Sequence, residues 1–224
     1  MREIIKSIAA KIPPGFYDRC RAWSVLEHNL RSRLSSAKLF DSRESLWRHL
    51  FRSIGTNEKL LLLEFGVFNG YSIHQFAELN QSRDSKFIGF DSFEGLPEDW
   101  TPKCPKGTFS QDGRLPVARD GRISFVKGWF SDTLIPTLHD LDSRDRIVVC
   151  HFDSDLYSST LFCLTALLQR FSDFYFVFDE FCGQEARALC DVMQGYPTEL
   201  SFLGHTREKF PSQVSGKMIN RSKI

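Results

Sequence analysis

Two apolar runs that each end in acid constrain this chain more than any other feature. Ile147-Val148-Val149-Cys150-His151-Phe152 leads into Asp153-Ser154-Asp155, and Phe174-Tyr175-Phe176-Val177-Phe178 leads into Asp179-Glu180. Short continuous runs of β-branched and aromatic residues read as strands buried on both faces, the kind found in parallel sheets. Between them, residues 158–171 are apolar and long enough for a crossover helix, so the pair reads as a β-α-β unit. In an open α/β sheet, ligands bind outside the carboxyl ends of the strands, so acids released by two neighbouring strands converge on one point. At an effective dielectric of about 20, two carboxylates about 4 Å apart repel by roughly 4 kcal/mol. Stability alone does not assemble such a group, whereas a hard divalent cation explains it.

The rest of the chain extends the same alternation. Strands are expected over 59–64, 86–90 with Asp91 at the tip, and 122–127, with a helix over 72–79 after the first. Two shorter alternating segments, 200–205 and 213–220, are separated by a charged turn at 206–211 and suit an antiparallel pair closing one edge. The N-terminal residues 1–57 read as a helical extension of the same domain. Pro13-Pro14-Gly15 breaks a first short helix from one over 17–34, and another follows over 43–54. The expected fold is therefore α/β: a doubly wound, mostly parallel seven-stranded sheet with helices on both faces, an antiparallel C-terminal strand pair and N-terminal helices, its core over 58–224. Residues 97–121 hold four prolines or glycines in their first half alone and few consecutive apolar residues, which marks a lid loop over the carboxyl-end face.

Composition narrows the partners. A formal charge of +1, from 29 basic and 28 acidic residues, gives no global attraction to nucleic acid or to an anionic membrane. No stretch reaches the roughly 18 apolar residues of a membrane span. Six cysteines without a C-x-x-C pair read as reduced, mostly buried thiols of a cytoplasmic protein. The stripe Ile4, Ile5, Ile8 and Ile12 has helical spacing and is expected to pack or to build a homodimer or higher homo-oligomer.

Around Leu63-Glu64-Phe65-Gly66-Val67-Phe68-Asn69-Gly70-Tyr71-Ser72 the chain reads as a strand, a tight turn and a helix start. The third glycine of a pyrophosphate-binding turn is missing, and Glu64 at the strand end would repel a diphosphate. An acid there suits a cationic amine, and Asp91 stands where such folds hydrogen-bond ribose hydroxyls. S-adenosylmethionine has that amine, a ribose and no phosphate.

Five ordered blocks over about 60–181 carry a family resemblance. They are Leu63-Glu64-Phe65-Gly66-Val67 with Gly70 and Ser72, Gly89-Phe90-Asp91-Ser92-Phe93-Glu94-Gly95-Leu96-Pro97, Lys127-Gly128-Trp129-Phe130-Ser131-Asp132-Thr133-Leu134, Phe152-Asp153-Ser154-Asp155-Leu156-Tyr157-Ser158-Ser159-Thr160 and Phe178-Asp179-Glu180-Phe181. Together they resemble the macrocin O-methyltransferases, class I enzymes that use S-adenosylmethionine and a metal and commonly methylate sugar hydroxyls of natural products and glycans. The resemblance implies metal ligation by Asp153, Asp179 and Glu180, and a general-base role for Asp155. It also implies Glu64, Gly66, Gly70, Ser72, Asp91 and Ser92 around the amino-acid and ribose parts of the cofactor, with Gly128 and Trp129 near adenine. Three positions depart from the family pattern: Glu180 replaces a common Asp, Ser172-Asp173 replaces a Gly-Gly turn, and a C-terminal Tyr-Trp ending is absent.

The all-oxygen donor set points to Mg²⁺. His151, one residue before the tip of its strand, is expected to face away from the ligands. Asp155 could equally cap the helix that follows it. Trp100, Phe109, Trp129 and Phe130 flank the lid and site and could stack on a sugar or on adenine. The expected acceptor is a small molecule or glycan hydroxyl. Two other readings stand beside it. Asp153-x-Asp155 imitates a haloacid-dehalogenase phosphatase, although residues 161–178 hold no lysine for that chemistry. A non-catalytic cofactor-binding module on the same fold is the other.

Overall fold

The computed structural model describes residues 24, 30–181, 183–206 and 213–223. The isoleucine stripe, Cys20, Cys182, most of the helix expected over 17–34 and most of the charged turn at 206–211 lie outside the described residues. The described end of that helix is α1 (Arg31–Leu34).

The remaining elements run β1 (Lys38–Phe40), α2 (Arg43–Ile54), β2 (Leu60–Phe65), α3 (Tyr71–Leu79), β3 (Lys86–Asp91), β4 (Ile123–Lys127), α4 (Phe130–Asp140), β5 (Ile147–Phe152), α5 (Tyr157–Arg170), β6 (Asp173–Phe178), α6 (Gln184–Gly195), β7 (Thr198–Thr206) and β8 (Val214–Asn220). Among the described residues the sheet has eight strands in the order β1-β7-β8-β6-β5-β2-β3-β4. All pairings are parallel except those that β8 makes with β6 and β7. The expected α/β sheet with an antiparallel C-terminal pair is present, with two corrections. An eighth strand, β1, adds to the seven expected. Because it pairs with β7, that antiparallel pair is interior rather than an edge. Three residues are too few for alternation to reveal a strand.

Both faces of the sheet are covered. Leu60 and Leu62 pack with Trp47, Leu50 and Phe51 of α2 and with Ile73 and Phe76 of α3. Leu61, Leu63 and Phe65 turn to the other side, against Leu134 of α4, Leu164 and Leu167 of α5 and Leu189 of α6. Complete burial of each such leucine contributes ~2 kcal/mol. Ser42 starts α2 by accepting the Ser45 N–H, and Gly55, at φ +109°, ends it. No described helix is long and apolar enough to cross a membrane. Cys150, Cys163 and Cys190 are buried free thiols, and Cys104 is a partly exposed one.

The strand order reverses between β2 and β5: β3 and β4 lie to one side of β2, while β5 and β6 lie to the other. A crevice at such a switch point is where open α/β sheets hold ligands.

Candidate active site

At the carboxyl end of the sheet the loops begin in register, because the hydrogen-bond ladder continues one residue past each strand. Gly66 donates to Phe90 O (3.0 Å), Asp153 to Phe65 O (2.9 Å), Asp179 to Phe152 O (2.9 Å) and Gly128 to Asp91 O (3.0 Å). Gly66 has φ +93°, and a Cβ there would lie 1.9 Å from the Asp153 carbonyl oxygen. Only glycine fits. A cavity of about 560 Å³ opens above these tips, and Gly66, Asp91, Ser92, Gly128 and Trp129 line one part of it. Asp153, Asp155, Asp179 and Glu180 line the other part.

Asp91 is more heavily engaged than a ribose-binding acid needs to be. Its Oδ2 accepts the N–H groups of Val67 (2.8 Å) and Phe68 (2.9 Å), and its Oδ1 accepts that of Phe93 (2.7 Å). It therefore shapes the turn after β2 while still facing the cavity. Ser92 accepts the Glu94 N–H and donates to Gly95 O.

Glu64, Gly70 and Ser72 do not line this cavity. Strand β2 runs one residue further than expected, through Phe65, so Glu64 is inside the strand rather than at its tip. It is fully buried on the face covered by α2 and α3, where its Oε1 lies 2.8 Å from His151 Nδ1. His151 faces away from the cavity, as strand alternation requires. Burial alone would lower the His151 pKa, but the hydrogen bond and charge of Glu64, followed by the charges of Asp153 and Asp179, raise it on balance. Gly70, at φ +78°, precedes α3 and lines a separate surface cavity, and Ser72 is buried in the first turn of α3.

Among the acids, burial and the charge of Asp179 push Asp153 well above the usual carboxylate range. Burial also raises Asp179, whose Oδ1 is enclosed without a hydrogen-bond partner. Burial, Glu180 and Asp179 push Asp155 up to about 7. Asp155 has φ +59°, a left-handed conformation that costs a non-glycine residue about 1 kcal/mol or more and tends to occur at functional sites. It does not cap α5: Leu156 is the N-cap residue, and no side chain of the α5 segment caps that helix.

No Lys, Arg or His side chain lines the cavity among the described residues. An orphaned carboxylate oxygen beside mutually repelling acids, all hard oxygen donors, fits a divalent cation in charge and chemistry. A ready ligand set is not preassembled, because among the described residues no three His, Cys, Asp or Glu are grouped as around a metal ion.

All four expected aromatics, Trp100, Phe109, Trp129 and Phe130, reach the cavity wall. Sequence reading missed Phe68, whose ring meets Phe109 edge-on at 6.0 Å, and Phe162 of α5. The segment 97–121 lies beside the cavity, held by hydrogen bonds from Gln111 and Gly113 to Phe93 O and from Lys127 to Gly113 O. His74 ties its far end to the turn after β2, accepting the Arg119 N–H at Nε2 while Nδ1 lies 2.6 Å from Gly70 O.

Known proteins bear on this geometry. The sequence profile described as macrocin O-methyltransferase (TylF) matches residues 59–194. No curated protein sequence matches the chain. The structure of the O-methyltransferase NovP is similar at 22% identity, over 80% of this chain and 79% of that one, with a TM-score of 0.54. An O-methyltransferase from Bacillus cereus in complex with SAH is similar at 12% identity, over 89% and 90%, with a TM-score of 0.55. SAH-bound PaMTH1 from Podospora anserina is similar at 13% identity, over 98% and 96%, with a TM-score of 0.51. At these identities the structural likeness shows the fold.

Proposed function

This chain belongs to the macrocin O-methyltransferase (TylF) family, a family of S-adenosylmethionine-dependent O-methyltransferases, and we propose that it methylates a hydroxyl of a sugar or glycosylated natural product with a divalent cation assisting. The observation that carries this reading is the single cavity in which the tips of β2 and β3 meet the acids that follow β5 and β6.

In this reading S-adenosylmethionine supplies an electrophilic methyl group, held by the part of the cavity that contains Gly66, Asp91, Ser92, Gly128 and Trp129. Asp91 has lone pairs left for ribose hydroxyls beyond its three backbone partners. Trp129 and Phe130 offer ring faces to adenine. Glu64 faces the wrong side of the sheet to meet the cofactor amine, so the amino-acid end rests on the backbone of the turn after β2.

A hydroxyl is a poor nucleophile until its proton leaves. Asp155, at the cavity wall with its pKa near neutrality, takes that proton, a role worth typically about 10²–10⁴-fold. Asp153, Asp179 and Glu180 would hold Mg²⁺, which when bound acidifies the hydroxyl and fixes its direction. The cavity wall is aromatic and acidic without a cation among the described residues, which favours a neutral hydroxyl donor over a phosphorylated one. The phosphatase reading has no support in the family to which the chain belongs, and the set of acids facing the cavity weighs against a non-catalytic module.

Calorimetry of S-adenosylhomocysteine with and without Mg²⁺, followed by a mass-shift screen of S-adenosylmethionine against a panel of glycosides, tests the proposal. Binding and a gain of one methyl group on a glycoside are expected. Absence of any binding of S-adenosylhomocysteine sinks it.

A further inference from the structure

Two adjacent side chains of one helix hold the two acid-bearing loops, and the chemistry above uses neither. Gln184 and Glu185 occupy the first turn of α6. Gln184 Oε1 accepts the N–H of Tyr157 at 2.7 Å, two residues beyond Asp155. Glu185 Oε2 accepts the N–H of Glu180 at 3.2 Å. Helix α5 has no cap from its own segment, so Gln184 supplies one from 27 residues away. Further along the same face of α6, Arg187 lies over the Tyr157 ring at 4.3 Å, and Asp191 Oδ2 accepts the Tyr157 hydroxyl at 2.9 Å.

Glu185 is the more unusual of the two. It is fully buried, and its second oxygen has no hydrogen-bond partner. An acid enclosed so close to others opposes folding, whereas any residue with a carbonyl oxygen of similar reach could accept the same N–H. Its placement serves the acid loop better than it serves the core.

We propose that Gln184 and Glu185 are positioning residues that set the spacing between the Asp153–Asp155 loop and the Asp179-Glu180 loop, with α6 as the rigid spacer. The inference rests on the reading that both loops serve methyl transfer. It assigns α6 a task that an ordinary packing helix lacks. Releasing either grip lets both loops relax, because each is registered against the other through the same helical turn.

The test uses the full chain and the variants Gln184→Ala, Glu185→Ala and Glu185→Gln. Three quantities are measured: S-adenosylhomocysteine affinity, Mn²⁺ affinity by electron paramagnetic resonance, and amide hydrogen exchange of the two loops. Each alanine variant is expected to weaken Mn²⁺ binding about tenfold, the equivalent of one lost hydrogen bond. Each is also expected to speed exchange in both loops, including the loop it does not touch, while nucleoside affinity holds. Glu185→Gln should match wild type in loop exchange and in both affinities, since its amide oxygen accepts the same N–H. Exchange confined to the loop that lost its bond, or a Glu185→Gln protein as impaired as Glu185→Ala, overturns the proposal. The second result would make Glu185 a charge-bearing ligand instead. Should Glu185→Ala fail to fold, Gln184→Ala and Glu185→Gln decide. If the wild type binds no Mn²⁺, metal assistance falls, and exchange in the untouched loop still decides the spacer role.

Discussion

His151 Nδ1 and Glu64 Oε1 lie 2.8 Å apart with both side chains buried, on the sheet face opposite the cavity. Breaking a buried pair by removing one partner strands the other. Glu64→Ala is therefore expected to destabilise the fold by about 3–5 kcal/mol, read as a lower midpoint in urea. Among molecules that remain folded, S-adenosylhomocysteine affinity should change little. A stable Glu64→Ala protein that has lost the nucleoside would return Glu64 to the cofactor site.

For Asp91 the two effects combine. It ties three backbone N–H groups of the neighbouring turns and faces the cavity. Asp91→Ala should cost about 2–4 kcal/mol of stability and weaken S-adenosylhomocysteine at least about tenfold. Calorimetry and thermal unfolding on one preparation measure both. Unchanged affinity would remove Asp91 from the nucleoside site and leave it a turn organiser.

Asp153→Asn should separate chemistry from binding. Loss of turnover by about 10³-fold or more is expected, with nucleoside affinity within a few fold of wild type. A substitution at Asp153 that spares turnover in the presence of a chelator contradicts the metal assignment.

The acid cluster also sets a pH dependence. Burial raises Asp153, Asp155, Asp179 and Glu185, and neighbouring carboxylates add to the rise at Asp153, Asp155 and Glu185; Asp153 and Glu185 stand well above their usual range and Asp155 at about 7. Raised folded-state values mean that folding retains protons the unfolded chain would release. Their contribution to stability is fully present below about pH 4 and is lost as pH rises through the folded-state values, about 7 for Asp155. In a chelator, the thermal midpoint should therefore fall between pH 5 and 8, and Mg²⁺ should reverse most of the fall. Glu185→Gln should flatten the decline. A midpoint independent of pH in both proteins would show that the acids are not repelling one another in the metal-free state.

Much of this architecture was legible because burial on both sides of a strand leaves a continuous apolar run. The runs ending at Phe152 and Phe178 marked β5 and β6, and the apolar length of 158–171 marked the crossover helix between them. Other features depended on distances along the chain that no local pattern records. A one-residue extension of β2 turned Glu64 from the tip to the opposite face, since side chains alternate along a strand. Strand β1 is defined only by pairing with β7, far away in sequence. Gln184 and Glu185 look like ordinary polar residues at a helix start, and their partners Tyr157 and Glu180 appear only once α6 is docked. Asp91 was found at its strand tip, but its three backbone partners could not be read from residue types.

The Asp153 carbonyl oxygen occupies the space where Gly66 would carry a β-carbon. The turn after β2 and the start of the acid-bearing loop after β5 are thus packed main chain against main chain at this point. No side chain can be added at Gly66 without moving one of the two segments. In the proposed reaction, fitting a different acceptor would fall to the segment 97–121, whose Trp100 and Phe109 line the same cavity.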